Sequence, residues 1–135
     1  MSSALIICKS GVMFSGKLLE SYNSKTKWIG IKPSEKSGIC MFFQMERIKK
    51  IYFEDGTYEI MVNSDLRQQP KLDLEVPDEN LVILRIRGGV SYRGEKLESL
   101  PEGVTWREGY WIAPNKKREM IINVPEEEIE KVYAM

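Results

Sequence analysis

Glu126, Glu127, Glu128 and Glu130 form the densest acidic group in the sequence, and converging carboxylates can hold a divalent cation or pass a proton. Consecutive side chains diverge, so this run reads as a solvated surface turn. Cys8 and Cys40 lie in apolar stretches without the close spacing of a zinc site or a redox dithiol, and two cysteines are too few for a secreted disulfide framework. The chain has no histidine, which removes the usual general base near neutral pH and the commonest transition-metal ligand. There is no phosphate loop, no serine or cysteine nucleophile with a histidine partner, and no repeated metal-ligand spacing. These residues lead to the expectation of a protein that is not an enzyme and takes no cofactor and no metal.

Aromatic and basic residues offer binding chemistry instead. Trp28 and Trp106 stand at matching places before a strand, where each can serve as a platform for a base or peptide or can close the end of a core. Tyr22, Tyr110 and Trp111 are further aromatics near these loops; Lys25, Lys27, Lys32 and Lys36 cluster around the loops of the first copy, and Arg107 lies in the second. Tyr22, Lys25, Lys27, Trp28, Trp106, Arg107 and Tyr110 are the candidate ligand-binding residues, able to track phosphates or grip a peptide. A solvated basic face is the alternative for the lysines. Arg85 and Arg87 alternate with Leu84 and Ile86, as on the solvent side of a strand.

The elements that carry these residues occur twice. Residues 4–28 align with 82–106 at an offset of 78, and 29–52 with 110–133 at an offset of 81. Fourteen of the 49 aligned positions are identical, among them Gly11/Gly89, Gly16/Gly94, Trp28/Trp106, Pro33/Pro114, Lys50/Lys131 and Tyr52/Tyr133. Ordinary residue usage would give about three. The division that follows is a first barrel over 1–60, an acidic, proline-containing linker over 61–80, and a second barrel over 81–135. In the linker KLDLEV (71–76) alternates polar and apolar residues as an edge strand would. Lys and Arg total 20, as do Asp and Glu, so no global field draws the chain to a polyanion; only residues 1–62 are mildly basic, with 9 basic against 6 acidic groups.

Within one copy, an apolar strand (ALIIC) meets a turn at Gly11 and a long second strand, VMFSGKLLES, with Gly16 inside it. Gly11 and Gly89 supply turn freedom, and Gly16 and Gly94 mark a sharp bend that lets one strand pair on both sides of a small barrel. A polar loop, a third strand (KWIGIK or YWIAP) and a fourth (ICMFFQ or MIINV) follow. Apolar residues three apart in MERIKKIY and PEEEIEKVY fit a 3₁₀ turn leading into a last strand; Pro125 and the glutamates also suit a longer C-terminal helix.

LIICKSGVMFSGKLLES, with MFFQMERIKKIYF and MIINVPEEEIEKVY, resembles the first and second motifs of the Sm-like proteins, small barrels of the SH3 type, over roughly 4–53 and 82–134. The resemblance implies an all-β fold of two tandem five-stranded SH3/Sm-like barrels. The family's RNA-holding Asp and Asn after strand two have no match in SYNSKTKW or SLPEGVTW, and Gln44-Met45 and Pro125-Glu126 replace its Arg-Gly pair. The expected role is therefore a non-enzymatic adaptor that binds a protein segment or self-associates, with Sm-like RNA binding through the first module as the alternative. About five apolar residues precede Lys9, far fewer than the ~20 of a membrane span, so a cytoplasmic location is expected and no membrane partner.

Overall fold

In SALIIC and LVILRI every second residue is buried, Ala4, Ile6 and Cys8 in one and Val82, Leu84 and Ile86 in the other. This period of two is what a strand with one face on a core requires. A computed structural model describes residues 3–19, 27–60 (of 59 and 60 the backbone alone), 81–98, 100, 104, 108–114 and 120–134. Its elements in the first half are β1 (Ser3–Cys8), β2 (Met13–Leu18), β3 (Trp28–Lys32), β4 (Cys40–Gln44), a 3₁₀ turn (Met45–Arg47), β5 (Ile48–Phe53) and β6 (Tyr58–Ile60). The second half contains β7 (Leu81–Ile86), β8 (Ser91–Lys96), β9 (Tyr110–Ala113), β10 (Met120–Val124), a 3₁₀ turn (Glu126–Glu128) and β11 (Ile129–Ala134). The fold is all-β.

The eleven strands form one antiparallel sheet in the order β11-β7-β8-β9-β10-β4-β3-β2-β1-β5-β6. Both halves thus share the strand order five-one-two-three-four, counted within each half. Their registers also repeat at the offsets of the sequence alignment. Ala4 opposes Gly16 and Val82 opposes Gly94; Ile6 opposes Ile51 and Leu84 opposes Val132; Ile31 opposes Met41 and Ile112 opposes Ile122. A bulge falls at the same place in the β1–β5 and β7–β11 ladders.

The glycines explain two shared features. Gly11 and Gly89 have φ of +93° and +97°, and each donates its N–H to the carbonyl that closes the turn, Cys8 at 2.9 Å and Ile86 at 3.1 Å. β2 pairs with β1 up to Lys17 and with β3 from Lys17 onward, so it changes partner just after Gly16. A Cβ on Gly16 would stand 2.5 Å from the Lys32 carbonyl oxygen, and one on Gly94 would stand 2.5 Å from that of Ala113. Backbone meets backbone at both sites, which only glycine permits.

Two separate barrels were expected, whereas the halves here are continuous through β4 and β10, and among the described residues no ladder closes either half. The reason lies in the strands themselves: CMFFQ and MIINV are apolar on both faces and would otherwise expose unpaired edges. Met41 and Phe43 point into a first cluster that runs through both halves, with Ile6, Ile31, Ile51, Leu84, Ile112 and Ile122. Cys40 and Phe42 face the other way, into a second cluster with Trp28, Trp111, Ala113, Ile121 and Val104, against which Leu19, Leu97 and Leu100 pack. In the β4–β10 ladder Met41 opposes Ile122, two positions that the offset of 81 makes equivalent.

The C-terminal segment is a 3₁₀ turn and a strand, so the longer-helix reading does not hold: β11 is committed to the ladder with β7. β6 was not anticipated. It folds back on β5 through Glu54-Asp55-Gly56-Thr57, where Phe53 N–H donates to the Thr57 carbonyl at 2.8 Å and Gly56 has φ +90°. KLDLEV lies outside the described residues.

Candidate functional site

Of the seven residues proposed from sequence, Tyr22, Lys25, Trp106 and Arg107 lie outside the described residues. Lys27 is exposed just before β3, and its carbonyl accepts a bond from the Met45 N–H at 2.9 Å. Trp28 is buried in the second cluster, which makes it a packing residue and leaves no ring face for a ligand. Tyr110 is half-buried against the first cluster, on the opposite side of the sheet, with the Lys96 ammonium 5.1 Å from its ring centre. Trp28 and Tyr110 therefore do not share a surface. Among the described residues no three His, Cys, Asp or Glu side chains gather at one point, and no helix is long and apolar enough to cross a membrane.

The residues that do gather on an accessible surface are at the outer ends of the sheet. In the first half the outer side of β5 is covered by β6, with Tyr52 opposite Tyr58 and Lys50 opposite Ile60. The Lys50 ammonium sits 4.4 Å from the Tyr52 ring centre and 4.1 Å from that of Tyr58, and the two rings are 5.9 Å apart. A cation over two rings is an attractive arrangement, worth about 0.5–1 kcal/mol per contact at an exposed site.

In the second half Lys131 and Tyr133 repeat the same pair, 4.9 Å apart. Among the described residues no strand pairs with the outer side of β11, which is the end strand of the sheet. The difference reaches the core. Ile51 of β5 is fully buried, whereas its counterpart Val132 is 37% exposed. Met45 and Phe53 pack against the cluster in the first half, but their counterparts are Glu126 and Ala134, which give less apolar cover. Lys131, Val132 and Tyr133 were missed because lysine and tyrosine alternating on a strand look like any solvated face. The identities Lys50/Lys131 and Tyr52/Tyr133 were the available signal.

Polar groups elsewhere serve the fold. The Glu128 carboxylate accepts from Ser37 Oγ at 2.7 Å and from the Gly38 N–H at 2.8 Å, tying the second half to the first. Its counterpart is Arg47, buried, whose Nε and Nη2 have no hydrogen-bond partner among the described residues. Burial lowers the pKa of Lys9, the nearby Arg47 charge lowers it further, and Glu46 acts in the opposite sense. Lys9 Nζ donates to the Glu46 carbonyl at 2.7 Å. Lys17 and Glu35 form an exposed ion pair, which raises the lysine pKa and lowers that of the carboxyl through their hydrogen bond and mutual attraction. No family model, no curated protein and no solved structure matches the chain.

Proposed function

We propose that this chain is an internally duplicated pair of SH3/Sm-like modules that works without catalysis, by binding an extended protein segment along the outer side of β11. The single observation behind this reading is the difference between two equivalent strands: β5 carries β6 and has a buried Ile51, whereas among the described residues no strand pairs with the outer side of β11, and its Val132 is exposed. Open strand edges accept segments through main-chain hydrogen bonds, and alternate side chains then give selectivity. Repeated registers at constant offsets support the duplication, and the shared strand order supports the likeness to a small barrel.

The test offers β11, as a free peptide, a segment that contains β6, the strand that covers β5. A peptide of residues 57–62, TYEIMV, is titrated into the whole protein. Binding is expected, with little dependence on salt, and backbone N-methylation on the edge facing β11 is expected to abolish it. Mixed single-stranded RNA is titrated in parallel. RNA binding that falls steeply as salt rises and ignores substitutions in β11, together with no uptake of the peptide, would replace this reading with the nucleic-acid one.

A further inference from the structure

The outer strip of β11 is self-complementary, and we infer that its occupant is a second copy of the same chain, paired antiparallel about a twofold axis at Val132. This inference rests on the binding edge proposed above and names what fills it. Antiparallel strands related by a twofold axis normal to the sheet must set one residue opposite its own copy. Centring on Lys131 puts two ammonium groups face to face, and centring on Glu130 does the same with two carboxylates; like charges directly opposite are unfavourable. Centring on Tyr133 leaves almost no strand to pair, since β11 ends at Ala134.

Centring on Val132 avoids each difficulty. It sets Val132 against Val132, covering the apolar side chain whose counterpart Ile51 is buried in the other half. Each Lys131 then lies across from the Tyr133 of the other copy while still near its own Tyr133. The β5–β6 ladder shows the same kind of contact in another register: Lys50 opposes Ile60 there and reaches Tyr58 diagonally, yet its ammonium still sits between a ring of its own strand and one of the neighbouring strand. Glu130 falls opposite Ala134, away from any other carboxylate on the strip. The paired strip spans five residues, Glu130 to Ala134, roughly 17 Å. Such a contact belongs with weak, concentration-dependent interfaces below about 1,200 Å².

Val132→Cys tests the register directly. In this arrangement its two copies have Cα atoms about 4.5–5.5 Å apart, within disulfide reach, while Cys8 and Cys40 are buried and do not compete. Mild oxidation of the whole protein is expected to give a covalent dimer with Val132→Cys. Lys131→Cys is expected to give little, because its copies are staggered about 8 Å apart. Light scattering of the unmodified chain should show its mass rising toward twice that of one chain with concentration, and Val132→Lys should return it to one. A single-chain mass at every concentration with no Val132→Cys cross-link would overturn the inference, as would preferential cross-linking at position 131. If that monomer still takes up the TYEIMV peptide at β11, the binding edge stands and only the identity of its occupant falls; loss of peptide uptake as well would remove both.

Discussion

Asn123 stands in β10 where Phe42 stands in β4, and both ends of its carboxamide are buried with no hydrogen-bond partner among the described residues. It lies opposite Cys40 on one side and Trp111 on the other, in otherwise apolar company. A buried, unsatisfied polar group costs about 1–3 kcal/mol, so Asn123→Leu is expected to stabilise the protein by about 1–2 kcal/mol in urea unfolding. A loss of stability would show that the amide is satisfied in solution. Tyr92 gives a second residue-level prediction. Burial raises its pKa above 10, and the Glu128 charge adds to this. The neutral phenol is favoured in the folded chain, so its contribution is intact below the unfolded value and is lost as pH rises through the folded one. In that window the folded chain binds more protons than the unfolded one, and stability falls with pH. Tyr92→Phe, which installs the residue found at the equivalent position 14, is expected to flatten the decline between about pH 9 and pH 11, as followed by urea unfolding.

The bent second strand supplies the test among elements. Gly16→Ala and Gly94→Ala each force a methyl onto a carbonyl oxygen, at Lys32 and Ala113 respectively, and each is expected to cost about 1–3 kcal/mol in chemical denaturation. Because the obstruction is backbone in both, similar losses are expected; neutrality of both would contradict the bend. The bend was legible because a glycine inside VMFSGKLLES has few other uses, and the paired copy at Gly94 repeated it. The 3₁₀ turns were legible as one of two readings, since Pro125 and three glutamates also suit a helix start, and only the long-range ladder with β7 decides between them. β6 was legible in principle: Asp55-Gly56 between aromatic residues is a strong hairpin signal. The partnership of β4 with β10 was not. The apolar run of each strand announces burial on both faces but not which distant edge provides it, and the same holds for the open side of β11. Trp28 shows the corresponding limit for the candidate site, since an aromatic ahead of a strand reads alike whether it packs inward or faces solvent.

For the whole molecule, the halves share one hydrophobic cluster and the seam of β4 and β10. A single cooperative unfolding transition is therefore expected, with agreement between tryptophan fluorescence and far-ultraviolet circular dichroism. Glu128→Ala removes the two bonds to Ser37 and Gly38, one to a hydroxyl and one to a backbone N–H. It is expected to lower that transition by about 1–3 kcal/mol; two resolved transitions in the unmodified protein would show that the halves melt independently. The seam also bears on origins. Met41 and Ile122, equivalent positions of the repeat, face one another in the β4–β10 ladder. A forebear of half this length would have had the same raw flank on its fourth strand, and the shortest way to cover it is a twin turned end for end, methionine to methionine. Joining the two reading frames would make a transient couple permanent and leave each half free to diverge, as the last strands have: Ile51 lies buried beside β6, while Val132 is 37% exposed.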